Sequence, residues 1–240
     1  GMNRGLITPV VCCSDVTMGC IDMLLKEVTL LMPSPADCPP AEAVSGDDIE
    51  EISCTGDAPL RAFVFKTVAD QFVGKMSFIR VMSGVLKANS EYINASTGGV
   101  EKIGKLYTLC GKKQTEVTSV GAGDICAAVK IGAATNDTIC EGKAVSLDKI
   151  VFPRPCYKMA VRPKSQGDES KISAAFARLC EEDPTLSFGQ DSATGEFVLA
   201  GLGEQHLEVA AAKLKNKFGV EVTLAPVRIA YKETIRKKVK

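Results

Sequence analysis

Histidine is almost missing from this chain of 240 residues. His206 is the single one, and there is no tryptophan. One imidazole leaves little scope for a Ser-His-Asp triad, and no G-x-S-x-G places a nucleophile. The paired histidines of an H-E-x-x-H zinc helix are equally excluded. Net charge is also absent. Lys plus Arg and Asp plus Glu are both 29, so no global field argues for a nucleic-acid or membrane partner. No apolar run approaches the roughly 20 residues that span a bilayer, and no charged, apolar and cleavable leader opens the chain. The sequence therefore reads as neither secreted nor membrane-embedded. The ten cysteines include no C-x-x-C pair, so no metal site is assigned. Cys126 in "DICAAVKI" and Cys156 in "PCYKMAV" read as small buried hydrophobes of strands, which fits a reducing, cytoplasmic setting. The phosphate-cradling G-x-x-x-x-G-K-[ST] is missing too. "GAGD" at 121–124 precedes a strand, where a cradle would precede a helix, and reads as a tight turn.

Apolar residues make up 45% and charged residues 24%, as in an ordinary globular protein, and the length favours two cores. Gly1 before Met2 has the form of a tag-cleavage scar, so the chain reads as a piece of something longer. Residues 1–35 read as a short buried strand followed by a helix with Ile21, Leu24, Leu25, Val28 and Leu31 on one face, stopped by Pro33 and Pro35. Residues 36–58, with seven acidic side chains up to Asp57 and no basic one, read as an exposed linker. From 59 to 152 closely spaced strand candidates separated by glycine turns predict a closed antiparallel β-barrel.

"FPRP" at 152–155 marks a stiff boundary. Over 153–226 the pattern becomes strand, helix, two strands, helix, strand, the βαββαβ order of a ferredoxin-like domain. Its first helix carries Ile172, Ala175, Phe176, Leu179 and Cys180 on one face. Its second carries Leu207, Ala211, Leu214 and Phe218, with Gly219 as C-cap. Residues 227–240 begin another module and end in the basic "KETIRKKVK".

"GLGEQHLEV" invites a metal or acid-base reading, a hydrolase using Glu204, His206 and Glu208. On a helix Glu204 and Glu208 share a face, while His206 points about 200° away from Glu204. The three do not converge. His206 instead shares a stripe with Lys213 and Lys217, which predicts a solvent- or partner-facing side chain, and Glu204 has a plain role against the helix dipole. No catalytic residue is assigned. In the barrel, Lys66, Lys75, Arg80 and Lys105 lie on or beside strands where they could contact phosphates; solubilising lysines are the alternative.

These residues add up to a resemblance. "AFVFKTVADQFVGKMSFIRVMSGVLKANSEY", with an R-V-x-S-G-x-L core at Arg80–Leu86, and "VGAGDICAAVKI" resemble the second domain of bacterial elongation factor G. "FPRP", "EEDPTL", "TGEFVLAGLGEQHLEV" and "VRIAYKETIR" resemble its third domain and the beginning of its fourth. The first 35 residues look like the last strand and helix of its GTP-binding domain. The resemblance implies a non-catalytic middle of a ribosomal translocation GTPase, without P-loop, switch regions or N-K-x-D. The chain itself would need no cofactor, and GTP and Mg would belong to the full-length parent. Expected partners are the ribosome, through small-subunit rRNA and proteins, and the parent's own GTP-binding and fourth domains, with no membrane. Ser14 falls where the family's last guanine-contacting loop has Ser-Ala, with Asp15 in place of the alanine. Glu204, His206 and Ala210 fall at the family's interdomain and fusidic-acid-site region. Gln205 stands where the family usually has leucine, which leaves a tetracycline-resistance ribosomal protection paralogue as the alternative.

Overall fold

The computed structural model describes residues 6–70, 74–164, 169–231 and 233–235. The Gly1–Met2 start, Asp168 ahead of the first ferredoxin-type helix, and most of the basic tail lie outside these residues. Among the described residues no helix is long and apolar enough to cross a membrane.

The apolar stripe near the N-terminus forms helix α1, Ile21–Leu31, which leaves through an extended Met32. None of its residues is buried. The short strand expected before it does not form, and residues 6–13 are mostly exposed without regular structure. A buried strand needs ladder partners for its N–H and C=O groups. Residues 6–20 make none with another strand.

The acidic stretch is not a linker. After a short 3-10 turn at Pro35–Asp37, strands β1 (Ala41–Ser45) and β2 (Asp48–Ile52) form an antiparallel hairpin running from Ala41↔Ile52 to Ser45↔Asp48. Ala43 and Ile52 turn inward onto a small core with Cys140, Val145 and Leu147. Period-two alternation sends Glu42 and Glu51 to the opposite face, while Glu50, the ladder partner of Ala43, pairs with buried Arg61 at 3.2 Å, so charge and a folded hairpin coexist.

Next come β3 (Arg61–Asp70), β4 (Gly74–Ser83), β5 (Val85–Lys87), β6 (Ser90–Asn94) and β7 (Val100–Ile103). They are followed by β8 (Leu106–Cys110), β9 (Lys113–Val117), β10 (Ser119–Gly121), β11 (Ile125–Val129), β12 (Thr138–Cys140) and β13 (Ser146–Leu147). Eight of them form one sheet in the order β7-β6-β12-β3-β4-β11-β8-β9; β10 pairs β5, and β13 extends the β1–β2 hairpin. The expected barrel is thus a curled antiparallel half-barrel, with β7 and β9 at its edges where a closed barrel would have none. The run "VEKIGKLYTL" at 100–109 contributes to two strands, β7 and β8, separated at Gly104 and Lys105.

The βαββαβ order holds: β14 (Tyr157–Pro163), α2 (Glu169–Glu182), β15 (Ser187–Gln190), β16 (Phe197–Gly201), α3 (Glu204–Phe218) and β17 (Val222–Ala225). The sheet runs β15-β16-β14-β17, with antiparallel ladders such as Met159↔Leu199 and Ala160↔Ala225. Both helices lay their stripes on it. Phe176, Leu179, Leu199, Leu207 and Leu214 are fully buried, and the Phe176, Phe188 and Phe197 rings stack in series at 4.5 and 5.6 Å. Each such side chain contributes roughly 1.5–3 kcal/mol of burial. Gly219 ends α3 in the left-handed region at φ 68, as the C-cap pattern predicts.

The chain separates into two compact units. One comprises Gly1–Phe63, Ile79–Ala127 and Asp137–Asp148; the other comprises Val64–Phe78, Ala128–Asn136 and Lys149–Lys240. The second therefore includes the C-terminal part of β3 and the start of β4 together with the ferredoxin-like elements.

Candidate functional site

The turn from β16 into α3 is built on close approach. A Cβ on Gly201 would lie 2.7 Å from Leu207 Cδ2 and 2.9 Å from His206 Nδ1, so any larger residue would displace these two side chains of the first turn. Gly203 at the N-cap offers no side chain to bind the first-turn amides. His206 performs a related service. The Leu202 N–H donates to His206 Nδ1 at 3.1 Å, so that nitrogen carries a lone pair and the ring proton sits on Nε2. Nε2 in turn donates to Asp183 Oδ2 at 3.0 Å.

Asp183 directly follows α2 and opens the turn at 184–185. Its Oδ1 accepts from the Thr185 amide at 3.0 Å and from the Thr185 hydroxyl. Burial works against its charge, but the Thr185 hydroxyl, His206 and the Thr185 amide together outweigh it and hold the carboxyl below its ordinary pKa. Beside it, Glu182 is a mostly buried carboxylate. It accepts from Lys217 Nζ at 3.0 and 2.8 Å and from the Ala69 N–H of β3 at 3.3 Å, with Lys213 Nζ at 3.9 Å. This contact fastens β3 to the ferredoxin-like elements within the second unit. A small cavity lies here, lined by Leu179, Glu182, Asp183, Leu186, His206 and Ala210 among others.

Of the residues singled out in α3, His206 and Ala210 meet at this cavity. Glu204 and Glu208 do not; both are exposed. The expectation of a solvent- or partner-facing His206 is sharpened, because its ring is half-buried and both nitrogens are engaged within the chain. Helical spacing within α3 could not reveal that, since the partner Asp183 comes from another element. The same two bonds leave no ring lone pair for a metal, which removes the Glu204/His206/Glu208 hydrolase reading.

The basic candidates are placed as follows. Lys66 is exposed, with Nζ 5.9 Å from the Phe78 ring centroid. Lys75 donates to the Gly132 carbonyl at 3.1 Å. Arg80 is exposed at the rim of a cleft with Pro35, Pro39, Cys54 and Met82. Lys105 is exposed and bonded to Glu116 at 2.9 Å, which raises its pKa. Lys66 and Lys75 belong to the second unit, Arg80 and Lys105 to the first. Ser14 is spent locally, its Oγ accepting from the Thr17 N–H at 3.3 Å. Cys126 is buried as expected, and burial, with the Asp124 charge adding, pushes its thiol up to about 12. Cys156 is instead exposed, lying just before β14.

Two family models match this chain: Elongation factor G domain 2 over residues 59–142, and Elongation Factor G, domain III over residues 152–226. A crystal structure from Thermus thermophilus is similar at 29% identity and a TM-score of 0.78, over 94% of this chain and 32% of that one. The chain belongs to the elongation factor G family. It spans about a third of the length of the solved chain it matches, and it carries the family's domains II and III in succession.

The motifs that carried the resemblance to elongation factor G now have physical reasons. In "RVMSG" the Ser83 hydroxyl donates to the Pro59 carbonyl at 2.8 Å, and the Gly84 N–H donates to Thr55 O at 2.8 Å. Gly84 has φ +72, and a Cβ there would meet Ala58 O and Leu60 N, both at 2.7 Å. The motif clamps the end of β4 onto the segment entering β3. In "GAGD", Gly123 N–H donates to Val81 O, and Val81 N–H donates to Asp124 O. It is a turn locked to β4. "EEDPTL" supplies Glu182 and Asp183. Sequence reasoning quoted that motif without assigning either a role, and the adjacent carboxylates after an apolar helix face were the available signal. Buried Arg61, bonded to Leu60 O, Glu141 O and Glu50, was missed for lack of any signal beyond its place on a strand.

Proposed function

We propose that this chain is the central part of a translation factor that, in full length, uses GTP hydrolysis to drive ribosomal translocation. The chain itself is non-catalytic; GTP and Mg belong to the full-length parent. The observation that carries this reading is the presence of domains II and III of one elongation factor, adjacent and in order. Domain II would bring Lys66, Lys75, Arg80 and Lys105 to small-subunit rRNA and proteins. Domain III would pass movement between the parent's GTP-binding domain and its fourth domain, through the junction at Glu204, His206 and Ala210, in the cytoplasm. Ser14 would stand at the edge of the guanine site.

The full-length parent tests this reading in a reconstituted translation system. GTP-dependent movement of tRNA and mRNA is the expected result. Rescue of tetracycline-stalled ribosomes without such movement would identify a ribosome-protection paralogue instead. GTP turnover above background by these 240 residues alone would contradict the non-catalytic assignment.

A further inference from the structure

We infer that Glu196 is a clasp that fixes the direction in which the chain leaves the ferredoxin-like domain. The backbone around it is rigidly set. Asp191 N–H donates to Glu196 O at 2.8 Å, Gly195 N–H donates to Asp191 O at 2.8 Å, and the Asp191 carboxylate accepts from the Ala193 and Thr194 amides at 2.8 and 3.0 Å. From this turn the Glu196 side chain, 14% exposed, reaches two other segments. Its Oε1 lies 3.5 Å from an Arg162 terminal nitrogen on β14 and 3.2 Å from Arg228 Nε. Its Oε2 accepts from the Arg228 backbone N–H at 3.1 Å.

Arg228 stands two residues after Pro226, where β17 has ended and the chain continues without regular structure. The residues beyond it stand away from the domain: Ile229 is 72% and Tyr231 86% exposed. Among the described residues the polar contacts that anchor Arg228 come through one carboxylate. A mostly buried carboxylate is costly unless its oxygens are paired, and charge-assisted bonds to a backbone N–H are among the stronger ones available. Swinging the exit segment about Pro226 would break both Arg228 contacts and leave Glu196 with Arg162 alone. The clasp thus resists rotation of whatever follows, by a bond to the backbone itself. The inference rests on contacts within the second compact unit and holds whichever ribosomal activity the parent has.

Amide hydrogen exchange by NMR on the whole chain tests it directly. The Arg228 amide should exchange slowly in the unaltered chain and roughly tenfold or more faster in Glu196→Ala, the scale of one lost charge-assisted hydrogen bond. Arg162→Ala, which leaves the Arg228 amide its acceptor, should change it less. The Leu199 amide of β16 reports whether the domain remains folded. If Glu196→Ala accelerates Leu199 as well, the isosteric Glu196→Gln and high salt on the unaltered chain decide: Arg228 should still speed up while Leu199 does not. Exchange at Arg228 as fast as at Tyr231 in the unaltered chain, or unmoved by both Glu196 substitutions, overturns the inference.

Discussion

Asp183 and His206 form a junction whose strength depends on protonation. The fold favours the charged Asp183 carboxylate, so the native chain takes up that proton at lower pH than the unfolded chain. Its contribution to stability is complete above the unfolded pKa of about 4 and is lost as pH falls through the lower, folded value. Asp183→Asn should cost about 1–3 kcal/mol in urea unfolding near neutral pH, and clearly less near pH 3. An equal cost at both pH values would show that the carboxylate charge is not what matters. Gly201→Ala tests the same junction from the backbone side. Its new Cβ would crowd Leu207 and His206 at 2.7 and 2.9 Å, with an expected cost of about 1–3 kcal/mol and a displaced His206 imidazole signal in NMR.

At the scale of elements, helices of similar apolar pattern differ in what they bury. α3 presses Leu207 and Leu214 into a core, whereas α1 exposes Leu25 at 61% and Val28 at 48%. Leu207→Ala should therefore cost about 2–5 kcal/mol in chemical denaturation, and Leu25→Ala at most about 0.5 kcal/mol. Comparable losses from both would mean that α1 has a packing partner after all. The same contrast explains what the sequence made legible. A 3.6-residue stripe reports that a helix has an apolar face, and α1, α2 and α3 were all readable from it. It does not report whether anything covers that face. The β1–β2 hairpin was hidden for the opposite reason: its buried apolar residues are Ala43 and Ile52, too few to stand out among seven carboxylates. The partner of His206 was not legible, because periodicity within one helix cannot locate Asp183, 23 residues earlier on a different turn. The curled sheet was foreseen from strand spacing and glycine turns, but its open edges were not, because closure depends on which distant strands pair.

At the scale of the whole molecule, the balanced charge of 29 basic and 29 acidic groups means that any hold on RNA must come from local basic side chains. Lys75 and Lys105 already serve carbonyl and carboxylate partners, which leaves exposed Lys66 and Arg80 better placed to meet phosphate. Ribosome contact through these side chains is decided by co-sedimentation of this chain with ribosomes over a salt titration. Binding is expected at low salt, with log affinity falling linearly in log salt, and a slope reduced by about 1 for each of Lys66→Gln and Arg80→Gln. Absence of binding at every salt concentration, or binding indifferent to salt and to both substitutions, would contradict a ribosomal role carried by the basic side chains of domain II.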